Sequence, residues 1–299
     1  MARSHAGHSH GVNADADRRR LWLALAVILS FMAVEVVAAI AANSLALLSD
    51  AAHMLTDAAA IGLSLVALRL SRRPPGGAMT FGLKRVEILS AQINGVGLLV
   101  LAALIAVEGT RRLFDPPEVE GGIVLVVALA GIGVSLVATL ILAGANRRSL
   151  NIEGSFQHIL ADLYAFAGTA IAGALILLTG FERADPIASM LVAGLMLRSA
   201  YGLLRDSGRV FLEAAPKGLD PNQIGRRMVE HPGVVEVHDL HVWEVTSGFP
   251  ALAAHVTVGH DDDCHRARLE LAELIEREFA IHHTTLQVEH EPERLVQIE

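Results

Sequence analysis

Residues 122–144 read GIVLVVALAGIGVSLVATLILAG, an apolar stretch without a charged residue that decides the fold class. A helix of about 20 apolar residues crosses the roughly 30 Å hydrocarbon core of a lipid bilayer. Five further apolar segments long enough to do the same occupy residues 21–42, 45–68, 86–107, 155–179 and 185–204. The sequence therefore predicts an α-helical membrane protein with six transmembrane helices.

Composition and charge indicate which partners to expect. The 299 residues are 53% hydrophobic and 19% charged, and the net charge is −8. Residues 209–299 hold 17 Asp and Glu against 8 Lys and Arg, so the acidity belongs to the C-terminal part. An acidic soluble part lacks the basic face that nucleic acids require. The expected partners are the lipid bilayer and cations, with no nucleic acid.

Residues 1–20 are polar and contain His5, His8 and His10. The apolar span that follows is longer than the core of a signal peptide, so we expect it to be retained as a transmembrane helix. Two interpretations of the first 20 residues stay open. They either deliver or buffer a metal cation through these histidines, or they form a short disordered tail.

Basic residues near the span ends set the orientation, because Lys and Arg are enriched in cytoplasmic loops. Most of them fall on one side, namely Arg18, Arg19, Arg20, Arg69, Arg72, Arg73, Lys84, Arg85, Arg147, Arg148, Arg205, Arg209 and Lys217. We therefore expect both termini in the cytoplasm, with an N-terminal tail over 1–20, a transmembrane domain over 21–208 and a cytoplasmic domain over 209–299. A bacterial plasma (inner) membrane is the expected location, although a vesicular membrane gives the same pattern.

After Arg209 the pattern is that of a small soluble domain. Asp220 and Pro221 are typical of the N-cap and first residue of a helix, which is expected to end near His231. Strands are predicted over 234–246 and 251–258, followed by a helix over 265–279 and a strand over 285–290. The order αββαβ predicts a two-layer α+β domain.

Two pairs of polar residues lie inside the apolar spans. His53 and Asp57 in the second span, and His158 and Asp162 in the fifth, are four residues apart, so each pair shares one face of a helix. Such groups are costly in hydrocarbon unless they are paired, hydrated or bound to a cation. Two imidazole nitrogens and two carboxylate oxygens form a tetrahedral set that suits zinc.

Other interpretations of the intramembrane polar residues also stay open. Each His–Asp pair is alternatively a buried hydrogen-bonded couple, although two matching pairs favour the metal site. Asp50 is either an accessory ligand or a hydrated residue near the span end, and Glu35, Glu87 and Glu108 are expected to serve helix packing or hydration.

The single cysteine, Cys264, cannot by itself form a disulfide or a thiolate metal site, so His and carboxylates are the expected ligands.

Five motifs, in order along nearly the whole chain, resemble the cation diffusion facilitator family. They are SDAAHMLTD (49–57), TFGLKRVE (80–87), the pair His158 and Asp162, ADP (184–186) and HDLHVW (238–243). The chain is similar to bacterial zinc, cadmium and cobalt exporters and to vesicular zinc transporters of this family. The resemblance implies a homodimer of six-span protomers, each with a ferredoxin-like cytoplasmic domain.

The resemblance also implies specific sites. The transport site would consist of His53, Asp57, His158 and Asp162, and His at position 53 is associated in the family with a preference for zinc over cadmium. A cytoplasmic zinc site would consist of His238, His255, His282 and Glu289. Arg85 and Glu213 resemble an ion pair between the membrane and tail domains, with a chance surface pair as the alternative. The turn over 71–80 has neither Asp nor His, so no metal is expected there.

The expected function is transport, not enzymatic catalysis. We expect a proton-coupled antiporter that exports Zn²⁺ from the cytoplasm by alternating access, with H⁺ as counter-ion and with Zn²⁺ also as a regulatory ligand of the tail domain. Ligand chemistry also admits Cd²⁺, Co²⁺ and Ni²⁺, but disfavours manganese and iron, since harder ions prefer all-oxygen sites. The alternative function is a membrane-anchored zinc sensor or buffer without transport.

Overall fold

The computed structural model describes the backbone of residues 26–27, 29–143 and 150–291. Within these ranges it describes the side chains except at positions 57, 60, 61, 64, 65, 68, 138, 139, 141–143 and 150–161. The tail histidines His5, His8 and His10 lie outside the described residues.

The first part of the chain consists of long helices. Helix α1 spans Leu29–Ala41, and the following helices are α2 (Leu45–Ser71), α3 (Val86–Phe114), α4 (Gly121–Ala143), α5 (Leu150–Thr179) and α6 (Ala184–Phe211). Over the described residues, each of the six predicted apolar segments overlaps one of these helices. Over the described residues, three stretches are long and apolar enough to cross a membrane, namely Val86–Phe114, Asp162–Thr179 and Ala184–Phe211. The count of six spans stays a prediction.

The chain divides into two compact units. The described residues up to Ile61, together with Asn94–Tyr201, form unit 1. Residues Gly62–Ile93 and the described residues from Gly202 onward form unit 2.

Small residues allow α4 and α5 of unit 1 to pack backbone against backbone. A Cβ added to Gly173 would lie 2.7 Å from the backbone nitrogen of Leu125, and one added to Gly131 would lie 2.5 Å from the ring of Phe166. Glycine at these two positions leaves room for the facing helix, as is usual where membrane helices approach closely. The Phe166 ring also packs edge-on against Phe31 of α1, at 5.7 Å between ring centroids.

A buried carboxylate at the start of α6 caps α2. Asp185, which is fully buried, accepts hydrogen bonds from the Ser44 hydroxyl, from the Leu45 backbone N–H at 2.8 Å and from the Ala46 N–H at 3.3 Å. The first N–H groups of a helix have no partner within the helix, and a carboxylate there is stabilising. Asp185 thus fixes the start of the helix that carries Asp50 and His53.

The tail domain belongs to unit 2 and contains α7 (Pro221–Val229), β1 (Val234–Glu244), β2 (Pro250–Val258), α8 (Cys264–Phe279) and β3 (His283–His290). The predicted order of helices and strands is confirmed, with ends that differ by at most two residues. The sheet order is β1-β2-β3, with β1 antiparallel and β3 parallel to β2. The α7 and α8 helices cover one face of this sheet, with a core of Ile224, Met228, Leu252, Leu271 and Ile275.

Candidate metal sites

Helix α2 places the predicted ligands of the second span along one face. The helix runs without interruption from Leu45 to Ser71, so Asp50, His53 and Asp57 follow each other at spacings of three and four residues. Asp50 is 1% exposed and His53 is half-buried. The side chain of Asp57 lies outside the described residues.

Helix α5 carries the second predicted pair. It is continuous from Leu150 to Thr179, so His158 and Asp162 lie one turn apart. Asp162 is 6% exposed. The side chain of His158 lies outside the described residues, and the four-residue transport site therefore stays a prediction.

Glu35 of α1 adds a third buried carboxylate to this region of unit 1. It is fully buried, and Asp50 and Asp162 are the carboxylates near its own. From the sequence alone, Glu35 is expected to serve only packing or hydration, because the sequence does not show which helix faces α1. Ionisable residues within a membrane span usually have a function, and this signal in the sequence could have pointed to Glu35.

Three neighbouring carboxylates inside a membrane domain repel one another unless positive charge is present. A bound cation or protons relieve this repulsion. The imidazole of His53 lies on the same face of α2 as Asp50, and its ring nitrogens are of the kind that bind metal ions. Among the described residues, no three His, Cys, Asp or Glu side chains are already arranged to hold a metal ion. The described part of the region can attract a cation and bind protons, but it does not by itself complete a coordination shell.

The tail domain brings two predicted ligands together across its sheet. His238 of β1 and His255 of β2 are directly paired in the antiparallel register, and their ring centroids lie 5.3 Å apart. Glu289 of β3 pairs with Thr257, which lies two residues beyond His255. Since paired residues and residues two apart share a face, His238, His255 and Glu289 lie on one face of the sheet.

The remaining predicted tail ligand, His282, lies elsewhere. It precedes β3, and its Nδ1 atom lies 3.0 Å from Oε1 of Glu276 near the end of α8. Glu289 accepts a short hydrogen bond from the side-chain amide of Gln287. The structure thus groups three of the four residues on the sheet face and directs His282 toward α8.

The α2–α3 loop and the start of α3 contact the tail domain within unit 2. The guanidinium of Arg85 donates a hydrogen bond of 2.9 Å to Glu213, and the two side chains are 41% and 61% exposed, respectively. The neighbouring Lys84 ammonium lies 3.9 Å above the centre of the Phe249 ring, a cation–π contact. The predicted Arg85–Glu213 pair is therefore formed, beside a second contact.

Comparison with known proteins decides the family. The family model of the cation efflux transmembrane domain matches residues 21–212, and that of the cation efflux protein cytoplasmic domain matches residues 216–291. The chain belongs to the cation diffusion facilitator family. The predicted family is confirmed, and with it a transmembrane domain followed by a cytoplasmic domain of mixed helices and strands. This is a family of transporters.

Relatives within the cation diffusion facilitator family match almost the entire chain. The zinc transporter ZitB of Shigella flexneri is 41% identical over 98% of this chain and 94% of that protein. A cadmium, cobalt and zinc/H⁺-K⁺ antiporter of Bacillus subtilis is 36% identical over 95% of this chain and 92% of its own length. The metal cation efflux system protein CzcD of Cupriavidus metallidurans is 36% identical over 96% of this chain and 91% of its own length.

Proposed function

We propose that this chain exports Zn²⁺ from the cytoplasm in exchange for protons. The observation that carries the proposal is the cluster of buried carboxylates at Glu35, Asp50 and Asp162 beside the His53-bearing face of α2. Buried charge of this kind marks ion pathways in membrane proteins. The printed functions of the relatives, zinc transport and metal/H⁺ antiport, support the same assignment.

The cargo is bound by His53, Asp57, His158 and Asp162. These residues provide two nitrogen and two oxygen ligands, a tetrahedral set that zinc prefers and that cobalt and cadmium also accept. Glu35 and Asp50 lie outside this set. Asp50 adds negative potential to the site, and Glu35 adds a buried carboxyl group that can release a proton when a cation binds nearby. They favour entry of a divalent cation without occupying its coordination shell.

Coupling to protons follows from the chemistry of the ligands. Zinc binds neutral imidazole and ionised carboxylate, so metal binding displaces protons and protonation releases the metal. On the side of higher proton activity, protons compete with zinc for the same atoms. If the site alternates between the two sides of the membrane, an inward proton gradient drives zinc outward.

The proposed organisation is a homodimer in the bacterial inner membrane. Each protomer has six transmembrane helices over 21–208 and a ferredoxin-like domain over 209–299, with both termini in the cytoplasm. The αββαβ order and the sheet order of the tail domain support this description. The match of residues 216–291 to the family's cytoplasmic domain supports dimerisation through the tail.

The tail domain is proposed to sense cytoplasmic zinc. His238, His255 and Glu289 share a sheet face, and His282 joins them only if it leaves Glu276. Zinc bound there would favour one arrangement of the two tail domains and so regulate transport. Loss of the zinc dependence of flux in His238→Ala with His255→Ala is the expected result, and unchanged dependence would remove this role.

Cellular zinc content tests the main proposal. In a bacterial host without its own zinc exporters, expression of the chain should lower zinc accumulation and restore growth in high zinc. Asp57→Ala and Asp162→Ala should abolish both effects at equal protein levels, whereas Glu108→Gln, which alters an exposed carboxylate of α3, should retain them. Equal zinc accumulation in cells with and without the chain would instead favour the sensor or buffer.

A further inference from the structure

The loop between α2 and α3, residues 72–85, has a fixed shape of its own. Gly76 and Met79 exchange two backbone hydrogen bonds, of 3.1 and 3.0 Å, and the Gly82 N–H donates to the Met79 carbonyl at 2.9 Å. Gly82 has a φ of +69°, and a Cβ added to it would lie 3.0 Å from the Arg73 carbonyl oxygen. A side chain at this position would be strained, so glycine allows the loop to fold as a compact turn.

Two side chains of this loop contact the tail domain. The Phe81 ring packs edge-on against the His283 ring, with 5.7 Å between the centroids and 73° between the planes. On the tail side, the His283 ring also contacts the Phe249 ring, at 5.7 Å between centroids. Lys84 completes the group through its cation–π contact with Phe249. These two loop residues and two tail residues form a continuous chain of contacts, which we name the loop dock.

The sheet of the tail domain positions its half of the loop dock. Phe249 ends the turn between β1 and β2, where its N–H donates to the Thr246 carbonyl at 2.9 Å and its carbonyl accepts from the Val245 N–H at 3.0 Å. His283 is the first residue of β3 and pairs with Ala251 of β2 in the parallel register. Both aromatic residues are therefore held by backbone hydrogen bonds within the tail, which do not depend on the loop.

The loop dock lies on the sheet face that carries His238 and His255. Trp243, Ala251 and His283 are directly paired across β1, β2 and β3. Ala251 and His255 are four residues apart on β2, so all of these residues share one face, and about 13 Å of strand separates the dock from the histidine pair. Helices α7 and α8 cover the opposite face, yet Ala251 is fully buried. This end of the face is therefore covered by contacts other than those of the helix-covered core.

Polar contacts at the start of α3 accompany the loop dock. The Thr246 hydroxyl donates a hydrogen bond of 3.2 Å to the Glu87 carboxylate, and Arg85 pairs with Glu213. The side chains of the loop dock are themselves at least partly accessible to solvent. Contacts of this kind are individually weak, because water competes for the same groups. Together they hold the loop on the tail, and they can separate and re-form without unfolding either part.

We propose that Phe249 and His283 are positioning residues for transport, which dock the α2–α3 loop and so fix the adjoining ends of α2 and α3. Helix α2 runs without interruption from His53 and Asp57 to this loop. Loss of the dock leaves the ligands in place but removes a constraint on the helix that carries them. In this role His283 acts through packing of its ring, not as a metal ligand or a proton carrier. The inference rests on the proposed transport function and adds no ligand to it.

Hydrogen exchange detects the contact without any transport. In full-length protein in detergent, His283→Leu and Phe249→Leu should accelerate amide exchange over residues 76–85 several-fold, because the loop loses its packing against the tail. His283→Phe keeps an aromatic ring and should exchange like the wild type, as should His265→Leu, which changes an exposed histidine of α8. Wild-type exchange in both leucine variants would overturn the proposal. It would also be overturned if His283→Phe exchanged as fast as His283→Leu, since the ring would then not act by packing.

Zinc flux in proteoliposomes tests the positioning role. Phe81→Leu and His283→Leu should each lower the maximal flux about two- to fivefold, with an unchanged KM for zinc because the ligands are intact. Both changes remove the same contact, so the double variant should lose no more than either single variant. Wild-type flux in the single variants, or losses that multiply in the double variant, would overturn this role. Absence of flux in the wild type would instead contradict the proposed transport function, and hydrogen exchange would still decide whether the dock exists.

Discussion

At the scale of single residues, the Asp185 carboxylate determines where the ligand-bearing helix begins. It accepts hydrogen bonds from Ser44, Leu45 and Ala46, across more than 130 residues of sequence, and it is fully buried. A buried acceptor that serves two backbone N–H groups cannot be replaced by water. The position of Asp50 and His53 therefore depends on a residue of α6.

Replacement of Asp185 tests this dependence. Asp185→Asn removes the charge and replaces one acceptor oxygen with an NH₂ group that faces N–H donors. We therefore expect the stability to fall by about 1–3 kcal/mol. Thermal unfolding in detergent should show a lower Tm than in the wild type. The control is Asp115→Asn, an exposed residue after α3, which should unfold like the wild type. Equal Tm values for the two variants would contradict the assigned role of Asp185.

Glu35 makes a second prediction at this scale. Its buried carboxyl group neighbours Asp50 and Asp162, so Glu35→Gln removes a group that can ionise beside a bound cation, without removing a proposed ligand. We expect zinc affinity in detergent, measured by calorimetry, to fall several-fold, with a smaller loss than in Asp162→Ala. Glu108→Gln, which alters an exposed carboxylate, is the matched control. Wild-type affinity in Glu35→Gln would show that this carboxylate does not act on the cation.

These residues also show how far the sequence could be interpreted. The spacing of His53, Asp57, His158 and Asp162 indicated the candidate ligands, because helical periodicity is local. The partners of Asp185 and Glu35 lie on other helices, and a single sequence does not give the packing that brings them together. The same limit applies to His282, whose contact with Glu276 depends on how α8 ends beside β3.

At the scale of helices and strands, the tail domain follows its local signals closely. Asp220 caps α7 by accepting from the Asn222 N–H, with Pro221 as the first helical residue, as the sequence predicted. Asp263 caps α8 in the same way, through the N–H groups of His265 and Arg266. These short-range patterns are the reason why the element order could be predicted, whereas the parallel pairing of β2 with β3 required the structure.

The Asp263 cap predicts a pH dependence. The N–H groups of Arg266 and His265 hold the pKa of the Asp263 carboxyl below its ordinary value of 3.8. The cap therefore contributes full stability above pH 3.8 and loses it as the pH falls through the lower, folded-state pKa. Hydrogen exchange in the first turn of α8 should accelerate, relative to Asp263→Asn, as the pH is lowered through that range. Parallel behaviour of the two proteins at every pH would exclude this linkage.

The contact between the α2–α3 loop and the tail makes a prediction about pairs of charges. Arg85→Glu and Glu213→Arg each place like charges together, whereas the double variant restores an opposite pair. Because both side chains are accessible to solvent, we expect a coupling of at most about 1 kcal/mol, which decreases at high salt. A double-mutant cycle of Tm values at low and high salt measures it. Strict additivity at low salt would mean that the pair contributes nothing to stability.

At the scale of the whole molecule, transport is proposed to depend on linkage between the binding of zinc and the binding of protons. In the proposed mechanism, zinc and protons compete for the same imidazole and carboxylate atoms in unit 1. Movement of this site between the two sides of the membrane then converts a proton gradient into zinc export. A sensor or buffer has no need for costly buried carboxylates in a membrane domain. The family and the relatives agree with transport.

The most direct test records zinc and protons together in proteoliposomes. With an acidic lumen, we predict that zinc uptake is accompanied by proton efflux, that both depend on the pH gradient, and that both disappear in Asp57→Ala and in Asp162→Ala but persist in Glu108→Gln. Zinc uptake without proton movement would contradict the proposed coupling. Folded, zinc-binding protein with no uptake under any gradient would contradict the central claim that this chain is a transporter.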